Sequence, residues 1–98
     1  MPKVYLIAEL EVTNAAGFED YRRQAPATIA AYGGRYCVRG GEAKLLEGNG
    51  APGRMVVVEF DSREKAMAWY SSPEYQAILP HRLNNSTSRA MIVAGCDG

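Results

Sequence analysis

The feature that most constrains this chain is a repeated switch of hydrophobic period along its length, from two residues to about 3.6 and back. From Lys3 to Val12 the side chains alternate. Val4, Leu6, Ala8, Leu10 and Val12 share one face, and Lys3, Tyr5, Ile7, Glu9 and Glu11 share the other. That is the pattern of a half-buried strand. The second face is mixed, apolar at Tyr5 and Ile7 and acidic at Glu9 and Glu11, as expected where a second subunit covers one part and water the other. Thr13-Asn14 can cap a helix, and Phe18, Tyr21, Ala25, Ile29 and Tyr32 then recur at spacings of three and four, one helical stripe. Pro26 lies within it and predicts a kink or restart near Ala25. Gly33-Gly34 suits the left-handed helix end.

The second half repeats the alternation of elements. Arg35 to Arg39 reads as a strand, Gly40-Gly41 as a bulge or bend, and Glu42 to Glu47 as a continuation in a new direction. Gly48 to Gly53 is loop chemistry. Arg54 to Phe60 contains Met55-Val56-Val57-Val58, an unbroken apolar run typical of a central strand covered on both faces. The two middle strands are thus expected as a hairpin with a six-residue tip. Asp61 with Glu64 fits a capping box, and Ala66, Trp69 and Tyr70 form the next buried stripe. Ser72-Pro73 looks like a fresh cap with proline at the first helical position. It predicts a short helix over Pro73–Leu79, ended by Pro80 and followed by a polar connection from His81 to Thr87. Ser88 to Ala94 is the last strand.

The order β-α-β-β-α-β is the ferredoxin-like plan, an α+β domain with an antiparallel sheet and both helices on one face. Residues 1–98 are expected to form one domain, since 98 residues leave no room for two. A chain this size hides roughly 65% of the surface that its unfolded form exposes. The small core and the apolar second face both favour a homodimer. Eleven basic side chains balance eleven acidic ones, which argues against nucleic acid, whose phosphates attract a basic excess. No apolar run approaches the ~20 residues that span a bilayer, and the opening residues pass straight into strand pattern without a signal region, so a cytoplasmic protein is expected. Cys37 and Cys96 have no metal-ligand spacing, and His81 is the sole histidine, so no metal site is expected. The glycine pairs lack phosphate-loop spacing, and no cofactor is expected.

The segment Tyr32-Gly33-Gly34-Arg35-Tyr36-Cys37-Val38-Arg39-Gly40-Gly41, followed by Trp69-Tyr70-Ser71-Ser72-Pro73-Glu74-Tyr75-Gln76, resembles the family known as domain of unknown function 1330. The likeness extends to the first and last strands. It implies membership of the dimeric α/β-barrel group, in which two ferredoxin-like sheets share a barrel, and which includes small cofactor-free isomerases, decarboxylases and monooxygenases. It implies no particular reaction. It does imply that Arg39 and Arg82 occupy favoured positions. The shared barrel also implies that one subunit's second strand approaches the other's fourth, so that Cys37 and Cys96 would pair occasionally between subunits.

Several residues are candidates for chemistry, each with a plainer reading beside it. His81 has the one side chain whose ordinary pKa lies near neutrality. It is a candidate acid–base group, or else an exposed histidine at a helix end. Glu9, if buried among apolar neighbours, would be a second candidate base, and otherwise a cross-strand ion-pair partner. Arg39 shares a strand face with Arg35 and Cys37, while Tyr36 and Val38 face the other way. It would hold a carboxylate or enolate in a bidentate manner, or simply pair with Glu42. Arg82 and Arg89 are alternative anion contacts. Tyr5, Tyr36 and Tyr75 are possible pocket residues. Tyr21, Tyr32 and Tyr70 are better explained as packed rings with exposed hydroxyls, and Trp69 as core. The leading expectation is a cofactor-independent enzyme, or an enzyme-like binder, of a small organic acid or oxygenated ring compound. The alternatives are a non-catalytic dimeric module that binds a metabolite or a protein, and a structural relative of the enzymes.

Overall fold

The computed structural model describes residues 2–96. The elements are β1 (Val4–Val12), α1 (Ala15–Ala31), β2 (Arg35–Gly41), β3 (Arg54–Phe60), α2 (Arg63–Ser71), α3 (Pro73–Leu83) and β4 (Ser86–Ala94). The strands form one antiparallel sheet in the order β2-β3-β1-β4. The helices cover one face, with α1 packed against α3. This is the ferredoxin-like plan, with the second helical segment divided in two. Cys37 on β2 and Cys96 beyond β4 are free, exposed thiols associated with opposite edges of the sheet.

The core lies between the sheet and the helices. Val4 and Leu6 of β1 join Ala25 and Ile29 of α1 in one cluster with Val58, Phe60, Trp69 and Tyr75, and Ala8, Leu10 and Phe18 are buried as well. Trp69, Tyr75, Phe60 and Val58 are the largest fully buried side chains, and removing each from water stabilises the fold by roughly 1.5–3 kcal/mol. Trp69 stacks at 4.0 Å from Tyr75 and 5.6 Å from Phe60, ring centre to ring centre. Its indole N–H donates to Thr28 Oγ1 at 3.0 Å, so the polar end of the ring is satisfied inside the core.

Several boundaries differ from the sequence expectation, each for a tertiary reason. Helix α1 runs without interruption through Pro26. The lost donor is offset by the burial of Phe18, Ala25 and Ile29 on either side of it. Asn14 occupies the cap position but caps with no side-chain bond. Its amide instead donates to Asn85 Oδ1 at 3.0 Å, tying the helix start to the turn before β4. Residues 42–47 do not continue β2. They belong to an exposed connection that reaches Gly53, in which Leu45 and Leu46 face water. The opposite chain offers no ladder there, because the Gly53 N–H is taken by the Glu9 carboxylate at 2.9 Å.

Ser62 rather than Asp61 caps α2, accepting from Lys65 N. Asp61 is drawn instead into an ionic cluster with Lys3, Arg35 and Lys65. Helix α3 passes through Pro80 and ends at Leu83. Its last turn is retained by the buried Ile78, Leu79 and Arg82 and closed by Asn84 N donating to Pro80 O. His81 and Arg82 are therefore helical, and β4 starts two residues earlier than expected, at Ser86.

The break between α2 and α3 rests on Ser72, buried and bonded in three ways. Its N–H and its hydroxyl both donate to Trp69 O, the hydroxyl at 2.7 Å, and its oxygen accepts from Tyr75 N at 3.1 Å. One residue thus ends α2 and starts α3. Replacing Ser72 with Ala is expected to cost about 1–2 kcal/mol of stability, measured as a lower urea midpoint with unchanged slope.

Candidate functional site

The site begins with a row of small side chains on the helix-facing side of the sheet. The register places Arg39, Val56, Ala8 and Ala90 side by side across β2, β3, β1 and β4. The rows on either side carry Leu6 with Val58, and Leu10 with Arg54. Because Ala8 and Ala90 end at Cβ, the helices above cannot close onto the middle row. The result is a cavity of about 670 Å³ between sheet and helices, within the size range of small-molecule sites. Its lining is mostly apolar, with Phe18, Trp69 and Val56 among the walls.

A β-bulge decides which β2 side chains enter this space. The pairing shifts between Tyr36 and Val38, so Cys37 is the extra residue and the alternation of faces reverses. Tyr36 and Arg39 consequently both face the helices, contrary to the strict alternation expected from sequence, which placed Arg39 with Arg35 and Cys37. Both line the cavity, and the Arg39 guanidinium lies 5.0 Å from the centre of the Tyr36 ring. Val38 turns to the open face of the sheet, where it is exposed.

Arg82 enters from the opposite side, on the last turn of α3. Only 5% of it is exposed. Nη1 donates to Ser88 Oγ at 2.8 Å, the guanidinium lies 5.8 Å from the Tyr21 ring centre, and Nε has no hydrogen-bond acceptor. Among the described residues it forms no ion pair with a carboxylate. Beside it, the hydroxyls of Tyr21 and Tyr75 are 2.8 Å apart. Each hydroxyl carries one proton and their mutual bond uses one, which leaves one O–H without an acceptor among the described side chains. Burial, followed by the neighbouring Tyr75, pushes the Tyr21 pKa well above its ordinary value, against the opposing pull of Arg82. Burial also raises that of Tyr36, with Arg39 opposing. These tyrosines are hydrogen-bond donors at neutral pH and not bases.

Arg39, Arg82 and Tyr36 thus meet at one cavity, while Tyr5, Glu9 and His81 do not line it. Tyr5 and Glu9 lie on the open face. The Tyr5 hydroxyl donates to Glu59 at 3.1 Å, which raises its pKa, and Glu59 in turn is held below the usual carboxylate range chiefly by Arg35. Glu9 stands opposite Arg89 on β4 and accepts from Gly53 N. His81 is half-buried on α3, and its carbonyl accepts from Asn85 Nδ2. The Tyr21–Tyr75 pair was not foreseen as a site. Each residue fits a helical core stripe, and only the packing of α1 on α3 brings the hydroxyls together, so neither Tyr21 nor Tyr75 leaves its hydroxyl free in water.

A ferredoxin-like α+β domain with a tyrosine- and arginine-lined cavity between sheet and helices is the class that these features define. The chain belongs to the family described as domain of unknown function DUF1330, which matches residues 3–96. Similar solved structures share the fold. A protein of unknown function from Rhodopseudomonas palustris has TM-score 0.80 at 14% identity, covering 99% of this chain and 85% of that one. The cofactor-independent oxygenase SnoaB from Streptomyces nogalater has TM-score 0.70 at 17% identity, covering 100% and 97%. A dimeric protein of unknown function and ferredoxin-like fold from Bacteroides fragilis has TM-score 0.64 at 11% identity, covering 94% and 95%. No curated protein matches the chain.

The Tyr21 environment has a measurable consequence at alkaline pH. The folded protein retains this proton, whereas the unfolded chain releases it near the ordinary value of 10.0. Stability from this group is therefore complete below about pH 10 and declines as pH rises above it. Urea unfolding across that range is expected to show a shallower decline for Tyr21→Phe than for the unaltered chain.

Proposed function

We propose that this chain is a cofactor-independent, enzyme-like protein that binds a small organic acid or an oxygenated ring compound as its anion in the sheet–helix cavity. The observation that carries the reading is Arg82. A buried guanidinium without a carboxylate partner is costly, and here the residue that carries it lines a largely apolar cavity. An incoming oxyanion supplies the missing opposite charge. The unshared hydroxyl proton of the Tyr21–Tyr75 pair is a second donor for the same oxygen. Donors set in advance in a water-poor site favour the ionised form of a bound enol, phenol or carboxylic acid.

The same geometry limits the chemistry. The proton-transfer roles expected of His81 and Glu9 gain no support, because neither borders the cavity. Glu19 does border it, but is paired with Arg22 at 3.1 Å. A ligand that ionises readily beside Arg82 needs no strong base. The resulting enolate or phenolate is electron-rich, the form in which an organic ring reacts with dioxygen without help from a metal. The shared fold with the cofactor-independent oxygenase SnoaB agrees with that chemistry.

Trp69 lines the cavity, so its fluorescence serves as the assay. Titration with 2-naphthoate is expected to change the emission, and the neutral 2-naphthamide to bind more weakly. Arg82→Met, with folding checked by circular dichroism, is expected to weaken naphthoate binding about tenfold or more. Unchanged affinity in that variant sinks the reading.

A homodimer built on the open face of the sheet is part of the same proposal. Ile7, Met55, Val57, Met91 and Val93 lie there, with Met91 and Val93 more than two-fifths exposed, and the similar Bacteroides fragilis protein is dimeric. Light scattering at micromolar concentration is expected to give twice the 10.7 kDa chain mass, and Met91→Asp to reduce it to the monomer. A monomer mass for the unaltered chain rejects the dimer and leaves the cavity reading intact.

A further inference from the structure

We infer that the cavity takes a dianion, an elongated apolar ring compound with an acidic group at each end, one held by Arg82 and the other by Arg39. This rests on the reading of the cavity as an organic-anion site and names the class of ligand.

The first ground is charge segregation. The whole chain has formal net charge +0, yet the cavity lining holds Arg22, Arg39, Arg54 and Arg82 against Glu19 alone. Glu19 and Arg22 pair with each other. That leaves three arginines facing the cavity, and among the described residues none of the three has a carboxylate partner. One monoanion would compensate only Arg82. Arg54 is engaged with Gly40 O at 3.4 Å, whereas Arg39 has no hydrogen-bonded partner of its own among the described residues and is placed only by its stacking on Tyr36.

The second ground is placement. Arg39 and Ala90 stand in one register row, separated by Val56 and Ala8. Three interstrand spacings put their backbones roughly 14 Å apart. Arg82 is fastened at the β4 end of that span through Ser88, two residues before Ala90. Arg39 stands at the β2 end. The floor between them is made of the two alanines and a valine, a flat apolar strip on which a ring system can lie. A guanidinium at each end of such a strip matches an acid group at each end of the ring. Each cation is backed by a tyrosine face, Tyr21 for Arg82 and Tyr36 for Arg39.

The test compares 2-naphthoate with naphthalene-2,6-dicarboxylate by isothermal titration at fixed ionic strength. The proteins are the unaltered chain, Arg39→Met, Arg82→Met and Arg63→Met, the last altering an exposed α2 arginine that does not line the cavity. The dicarboxylate is expected to bind roughly 3- to 10-fold more tightly than the monocarboxylate, the range for a charge-assisted contact at a partly exposed cation. Arg39→Met is expected to abolish that preference, so that the two ligands bind this variant equally. Arg82→Met is expected to weaken both ligands, and Arg63→Met neither. Equal binding of the two ligands to the unaltered chain, with naphthoate still dependent on Arg82, overturns the dianion and leaves the anion site standing. A preference that survives Arg39→Met, or that Arg63→Met removes equally well, overturns it too. Failure of both ligands to bind overturns both readings.

Discussion

The contact on which the rest of this structure depends is the stack of Trp69 on Tyr75 across the break at Ser72. Trp69 and Tyr75 are six residues apart, so on one uninterrupted helix they would point about 120° away from each other. The Ser72 hydroxyl ends one helix on Trp69 O and starts the next at Tyr75 N, so the rings converge from two helices with different axes. Trp69 then fills the space above Phe60, and Tyr75 reaches across to Tyr21 of α1. The direction given to α3 at this break also carries Arg82, ten residues further on, back over the sheet to Ser88. Cap, aromatic stack and buried cation are thus one mechanical chain.

Within that frame the cavity results from opposed demands. The aromatic stack holds the helices away from the sheet, while the middle row of the sheet offers only Ala8, Ala90 and Val56 beneath them. A buried guanidinium beside such a cavity forgoes hydration without gaining a carboxylate. Under the proposed function, the entry of an apolar anion offsets that cost.

The two faces of the sheet divide the ionisable groups between different tasks. On the open face Lys3, Arg35, Glu59 and Asp61 form a mutually compensated network, which holds the pKa values of Glu59 and Asp61 below their ordinary range. On the helix-facing side Arg39 and Arg82 lack such carboxylates. Charge is thus compensated within the chain on the open face and left without carboxylate partners at Arg39 and Arg82 on the helix side.

Much of the architecture was legible in the sequence because it depends on period. The alternation in Lys3–Val12, the α1 stripe from Phe18 to Tyr32, the apolar run Met55–Val58 and the Ser72-Pro73 restart each carry their meaning within a dozen residues. The order of these elements is enough to specify the ferredoxin-like plan. Arg39 and Arg82 stood out through the family resemblance and as anion contacts, and Tyr36 as one of three candidate pocket tyrosines. What only the tertiary structure decided were the outcomes that turn on distant partners. Helices α1 and α3 continue through Pro26 and Pro80 because their apolar faces are buried elsewhere in the fold. The bulge at Cys37 reverses the faces of β2 and delivers Arg39 to the helix side, an effect of pairing with β3 that alternation along β2 alone does not reveal. Glu9 finds Gly53 and Tyr21 finds Tyr75 through contacts between residues more than forty positions apart. Local sequence sets what each segment prefers to be. Which side chains lack a partner is a property of the assembled fold.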